Sequence, residues 1–186
     1  MFYYIWEDQQ QFFVGPDGPD FVNIDESKLK GVEVELRWNI TSDFAMQAGF
    51  GLQDTEITKS TDEAAAEVGH ELPFAADRSA NILLTKDFEI GETYLTAQVD
   101  YQYRSAPKAY AKDRLLVDEL EATNELNARL TWSFGNDDQY EMTLYGNNLT
   151  GDKRCTYKWE LTALAGAAYC VCLLYTSDAA DDVECV

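Results

Sequence analysis

The sequence predicts an all-β fold, an antiparallel meander of about seven long strands that cross a membrane as part of a barrel. Three observations predict it. Apolar and polar residues alternate with a period of two over runs of around ten residues, the pattern of a strand with one dry and one wet face. Tight turns alternate along the chain with long connections, as an outer-membrane barrel requires and a soluble sandwich does not. Aromatic residues, among them Trp6, Trp38, Phe44, Tyr101, Tyr103, Trp132, Phe134 and Tyr140, sit near the ends of the runs, where girdles at the two membrane interfaces would place them.

The opening run, Phe2 to Val14, reads as the inside of a strand. Met1 to Asp8 carries neither a basic segment nor a small-residue cleavage site, so it does not read as a secretory signal. Alternation is clearest from Val32 to Ile40, where Val32, Val34, Leu36, Trp38 and Ile40 are apolar and Glu33, Glu35, Arg37 and Asn39 are polar. Only Thr41, Ser42 and Asp43 separate it from a run with Phe44, Met46, Ala48, Phe50 and Leu52 on one face and Gln47, Gly49, Gly51, Gln53 and Thr55 on the other. These two form a hairpin.

The same unit recurs twice. Ile82, Leu84, Phe88 and Ile90, interrupted by Lys86, lead through Gly91-Glu92-Thr93 into Leu95, Ala97, Val99, Tyr101 and Tyr103. Leu126, Ala128, Leu130, Trp132 and Phe134 lead through residues 135–138 into Tyr140, Met142 and Leu144. The remaining connections, Gly15–Ser27, Ser60–Ser79, Ala106–Thr123 and Asp152 onward, are predicted to be long loops. On this reading Glu33, Glu35, Arg37, Gln98, Asp100 and Arg129 face a polar lumen and the apolar face meets lipid. An open sheet edge in hydrocarbon leaves backbone groups unsatisfied, so a seven-stranded run needs further strands to close.

Composition narrows the partners. Of 186 residues, 34 are acidic and 14 basic, a net charge of −20, which argues against nucleic acid because that contact needs a Lys/Arg-rich face. Aromatics at 13% argue against disorder. No run reaches the roughly 18 to 20 apolar residues of a membrane helix; the longest candidate, Leu161 to Tyr175, is interrupted by Thr162.

The run from Cys172 to Asp182 resembles the conceptual translation of a transposon-end adapter used in sequencing libraries. The natural chain is therefore expected over residues 1–171, with 172–186 a non-native tail. Removing the tail's Asp178, Asp181, Asp182 and Glu184 brings the net charge from −20 to −16. Cys155 and Cys170 then remain, a pair that suits one disulfide in an oxidising compartment or two free thiols.

Enzyme chemistry finds little support. Glu33 and Glu35 imitate a carboxylate pair but sit among other lumen groups such as Arg37. His70, the single histidine, has Glu67 and Glu71 nearby, short of the three or four suitably spaced ligands a metal needs. Gly49-Phe50-Gly51 lacks the third glycine of a dinucleotide loop. No catalytic triad, resident metal or cofactor is expected. Substrate choice is expected in the loops, at Asp17–Asp20, Asp62–Glu71 with His70, Lys108–Glu121 with Tyr110, and Tyr157–Tyr169 with Trp159.

The order of segments resembles the C-terminal third of the barrel of TonB-dependent outer-membrane receptors over about residues 2–160. The carrying residues are Val22 to Ser27 leading into Leu29-Lys30-Gly31-Val32-Glu33-Val34-Glu35-Leu36, then Gly69-His70-Glu71-Leu72-Pro73-Phe74-Ala75, Tyr101 to Ser105, Leu126 to Leu130, and Gly146-Asn147-Asn148-Leu149-Thr150-Gly151-Asp152-Lys153-Arg154. Three positions depart: Ala76 replaces a proline, Gly151 is inserted, and Cys155 stands where an aromatic often sits. The family's plug, TonB box, signal peptide and aromatic-ended last strand are not in the sequence.

The resemblance implies an incomplete segment of a large barrel of the 22-stranded type. It also implies import of a scarce bulky nutrient of siderophore, cofactor or glycan class, with energy coupled through a TonB complex at an N-terminal region. Outer-membrane lipid and a small-molecule or glycan substrate are the expected partners. Two other readings compete, a small eight-stranded barrel truncated at its last strand and a soluble carbohydrate-binding β-sandwich whose apolar runs a second sheet would cover.

Overall fold

A computed structural model describes residues 1–15, 18–61, 66–110, 119–153, 155–161 and 167–172. Seven strands form one antiparallel sheet in chain order: β1 (Phe2–Gly15), β2 (Gly18–Asn39), β3 (Phe44–Lys59), β4 (Arg78–Ile90), β5 (Thr93–Arg104), β6 (Thr123–Phe134) and β7 (Tyr140–Gly146). Each strand pairs only with its chain neighbours, so within the described residues β1 and β7 are open edges. Two further strands, β8 (Cys155–Leu161) and β9 (Ala167–Cys172), pair with each other and not with the large sheet.

Register explains the alternation. Across β2 and β3, Val32 faces Leu52, Val34 faces Phe50, Leu36 faces Ala48 and Trp38 faces Met46, and opposite residues in an antiparallel pair project to the same side. That apolar face is bare: Val34 is 56% exposed, Trp38 54%, Met142 57% and Leu144 71%. No sheet among the described residues covers it, whereas the sandwich reading requires one. The Lys30 ammonium 2.8 Å from the Asp54 carboxylate marks where the face turns polar, just before Val32.

The tight turns lie at one end of the sheet. Gly91 takes φ 66 between β4 and β5, a left-handed conformation that glycine adopts without Cβ strain. In the β2–β3 turn, Thr41 Oγ1 donates to Asp43 Oδ1 at 2.6 Å and the Lys86 ammonium pairs with Asp43. The interruption at Lys86 therefore has a structural reason: the lysine points along the apolar face toward the turn and neutralises a turn carboxylate.

Three expectations change. The Gly15–Ser27 connection is not a long loop, because β1 and β2 continue their ladder out to Gly15 opposite Gly18. The first described pairing of β2 with β3 comes only at Glu26, so Pro19 stands where β2 has a single neighbour and its missing N–H need not break a ladder. The span after Asp152 contains β8 and β9, which take in both ends of the predicted Tyr157–Tyr169 loop. Trp6 also departs from the outward girdle. It lies opposite Ser27, with Tyr4 opposite Leu29 and Phe2 opposite Gly31, on the side of Glu33 rather than the bare apolar side.

The buried core lies at the end opposite the tight turns. Ile24, Ile57, Ala66 and Leu72 pack together, with Leu29 and Ala75 against them. The β3–β4 connection folds over β3: Ile57 N–H donates to the His70 carbonyl at 2.8 Å, Gly69 N–H to the Ile57 carbonyl at 2.8 Å, and Leu72 N–H to Thr55 Oγ1 at 3.0 Å. Gln53 Nε2 donates to the Ala76 carbonyl at 2.8 Å. Because Gln53, Thr55 and Ile57 share the face of Gly49 and Gly51, this connection packs on the polar side of the sheet.

Candidate functional site

The polar face is organised in cross-strand rows. One row runs Arg37, Gln47, Leu83, Asp100, Asn127; the next runs Glu35, Gly49, Asn81, Gln102, Glu125; a third runs Glu33, Gly51, Ser79, Arg104, Thr123. Gln98 lies opposite Arg129, which lies opposite Tyr145. All six predicted lumen residues therefore share one face. Asn127 Nδ2 donates to Asp100 Oδ2 at 2.9 Å, Gln98 Nε2 to Thr85 Oγ1 at 3.4 Å, and Thr96 Oγ1 to Asp87 Oδ1 at 2.7 Å. Such a face can hydrogen-bond polar groups, and among the described residues it brings no nucleophile-base pair together.

Glycine sets the contour of that face. A Cβ at Gly51 would lie 2.7 Å from Ser79 Oγ, and one at Gly49 would collide with the Asn81 amide, so neither tolerates a side chain without displacing its neighbour. A hollow of about 170 Å³ opens above, lined by Phe2, Glu33, Gly51, Gln53, Ser79 and Arg104.

The loop candidates fare differently. His70 is held by its own carbonyl, and its Nε2 lies 3.2 Å from the Glu67 carboxylate. Tyr110 is 7% exposed and packs with Ala109 and Leu120, so its ring supports the loop rather than facing solvent. The two loops are joined where Phe74 N–H donates to the Lys108 carbonyl at 2.8 Å, and Lys108 pairs with Glu119 at 3.0 Å. Burial, then the nearby Asp77 carboxylate, pushes the Glu71 carboxyl above its ordinary range. No group of three or more potential metal ligands occurs among the described residues.

Trp159 and the sulfurs of Cys155 and Cys170 lie outside the described side chains. The backbone register sets Cys155 opposite Cys172 and Cys170 opposite Lys158.

After β7 the chain stays on β6 through a built turn. Leu149 N–H donates to the Leu126 carbonyl at 2.7 Å, Asn148 N–H to Asn127 Oδ1 at 2.8 Å, and Thr150 Oγ1 to the Asn124 carbonyl at 2.7 Å. Asn148 Oδ1 accepts from Asp152 N–H at 3.0 Å, and Asp152 Oδ2 accepts from Asn124 N–H at 2.5 Å. Asn148 (φ 50) and Gly151 (φ 66) supply the two left-handed residues. The Asn-Leu-Thr motif is thus a hydrogen-bonded clip on β6.

Residues 2–149 match the family model described as TonB dependent receptor-like, beta-barrel. The chain belongs to that family. As a TonB-dependent receptor barrel it is related to transport receptors of the bacterial outer membrane rather than to enzymes. Among solved structures it resembles BauA, the ferric preacinetobactin receptor from Acinetobacter baumannii, with a TM-score of 0.62 and 18% identity over 82% of this chain and 22% of that one. It also resembles FyuA, the ferric yersiniabactin uptake receptor from Yersinia pestis, with a TM-score of 0.69 and 15% identity over 89% of this chain and 23% of that one. No curated protein matches. The receptor segment thus spans less than a quarter of either structure, in keeping with an incomplete barrel whose two sheet edges are open.

Proposed function

We propose that residues 1–171 are the C-terminal part of an outer-membrane receptor that imports a ferric siderophore-class chelate, and that residues 172–186 are foreign to it. The observation that carries the reading is one continuous sheet with a bare apolar face and a polar face, matched to the receptor barrel family over 2–149. Lipid covers the first face and the second lines the barrel interior. The ferric cargo is supported by the two structural relatives, both receptors of ferric chelates.

In such a receptor, strands outside this chain close the edges at β1 and β7, since hydrocarbon tolerates no open ladder. Energy reaches the barrel through an N-terminal region that contacts a TonB complex. The loops over the polar face, held by the Ile24–Ile57–Ala66–Leu72 cluster, form a fixed rim at the mouth.

The test uses the intact receptor that contains this segment, expressed in an iron-starved host lacking its own ferric receptors. Uptake of radioiron as a ferric chelate is expected only when the host retains TonB, together with heat-modifiable migration in detergent. TonB-independent uptake, or none with any ferric chelate despite a folded barrel, overturns the assignment.

A further inference from the structure

One hollow of the sheet opens on the apolar face rather than the polar one. Lys30 lies opposite Asp54, Val32 opposite Leu52, and Leu52 opposite Arg78, so all five side chains belong to the face of Val34 and Phe50. Over them lies a hollow of about 550 Å³, bordered also by Glu71 and Asp77 of the β3–β4 connection. Apart from Met1, its lining comes from β2, β3, β4 and that connection. Each of these strands has both neighbours in the sheet, so the hollow takes its shape from interior strands rather than from the open edge at β1.

Its chemistry changes in order along the strands. Val32 and Leu52 form an apolar floor, each 43% exposed. Arg78 stands at the same level: its backbone N–H donates to Ser105 Oγ at 3.1 Å, while its guanidinium makes no ion pair or hydrogen bond among the described residues. One step toward the loop end is the Lys30–Asp54 pair at 2.8 Å. Alongside and beyond it come two further carboxylates. Asp77 is anchored through its carbonyl, which accepts from Gln53 N–H at 2.9 Å. Glu71 is fixed between His70, whose carbonyl accepts from Ile57 N–H, and Leu72, whose N–H donates to Thr55. From Leu52 to Thr55 these levels cover about 10 Å of strand.

Lys30 neutralises Asp54, which leaves one cation beside the apolar floor and two carboxylates farther out. That order is the complement of a lipid whose acyl chain is followed by a phosphate and then by a primary amine. We infer that the hollow holds the headgroup of a phosphoethanolamine lipid, with its phosphate on Arg78, its ammonium donating to Asp77 and Glu71, and its acyl chain along Val32 and Leu52. The site rests on the receptor reading, in which lipid meets this face. A purely anionic headgroup leaves the two carboxylates facing its charge. A trimethylated amine has no N–H to give them, and charge-assisted hydrogen bonds are the strong ones.

The test is native mass spectrometry on the intact receptor in a neutral detergent, titrated with the dihexanoyl forms of phosphatidylethanolamine, phosphatidylcholine and phosphatidylglycerol. Phosphatidylethanolamine is expected to be retained at about a tenth of the concentration the other two need, the range for a hydrogen bond to a charged group. Arg78→Gln and Asp77→Asn are each expected to remove that preference. Lys28→Gln, on the same face but outside the hollow, is expected to leave it unchanged. Should Asp77→Asn lose heat-modifiable migration, Glu71→Gln serves in its place.

Equal retention of all three lipids, insensitive to Arg78→Gln, makes the contact ordinary boundary lipid and overturns the site. Phosphatidylglycerol retained as well as phosphatidylethanolamine, with both lost in Arg78→Gln, means that only phosphate is read and overturns it too. A receptor that keeps the preference but imports no ferric chelate supports the site and removes the ferric reading alone. A folded receptor that retains no lipid of any kind removes the lipid-facing reading and the site with it.

Discussion

The two ends of the sheet bury their apolar residues in opposite ways. Val32, Val34, Leu36, Trp38, Phe50 and Leu52 stand exposed on the apolar face, and nothing among the described residues covers them. Beyond Gly31, the polar face of the middle becomes the apolar one, and Ile24, Ile57, Ala66 and Leu72 close under the β3–β4 connection. In the receptor proposed above, lipid takes the place of a core in the middle. At the loop end water returns on both sides, and a conventional hydrophobic cluster must be built from a loop. The stability of the middle should therefore respond to the solvent of the outer face, and that of the rim to packing volume.

The largest effect is expected on the bare face. Leu36→Arg places a charge among Val34, Trp38 and Ala48, where a cation costs about 2–4 kcal/mol near the bilayer midplane. Glu35→Arg, one residue away on the polar face, should cost little. Denaturant titration of the intact receptor in vesicles reads both, and equal losses would erase the distinction between the faces.

The rim gives a smaller and differently located effect. Leu72→Ala removes a side chain that is 3% exposed and opens a cavity worth about 2 kcal/mol, at the low end for such truncations. The loss should appear as faster protease cleavage within residues 60–77 on whole cells, with the barrel's own melting unmoved. If global melting falls instead and the loop stays resistant, the cluster belongs to the barrel core and the comparison breaks.

The two ends were also unequally legible. A strand with one apolar and one polar face must alternate, so β2 to β7 stand out in the sequence, and the common face of Glu33, Glu35, Arg37, Gln98, Asp100 and Arg129 follows from parity alone. The β1–β2 extension did not stand out, because Gly15, Pro16, Gly18 and Pro19 read as loop chemistry and one-sided pairing carries no second-face pattern. Phe2 to Trp6 is apolar at every position, so its period assigns no face. Only the register against Gly31 turns Trp6 inward. Tyr110 looked like an exposed loop aromatic because loops carry no periodicity to signal burial. The Asn148 clip was visible as a motif, yet its hydrogen-bond partners on β6 lie some twenty residues away in sequence and needed the fold.

The smallest effect belongs to the tight-turn end, where water rather than packing decides. Hydrogen bonds from Lys86, then Thr41, hold the Asp43 carboxyl down from 3.8 to about 2. A carboxyl depressed in the folded state adds stability that is fully present above its ordinary value and fades as pH falls through the folded one. The intact receptor should therefore lose a small increment of stability between about pH 4 and pH 2, and Asp43→Asn should flatten that segment of the curve. The pair is exposed to water, so salt should shrink the increment as well. Leu72→Ala should keep the acid slope, because its cluster contains no titrating group, and a slope that vanished there would mean that the two ends are coupled through β3.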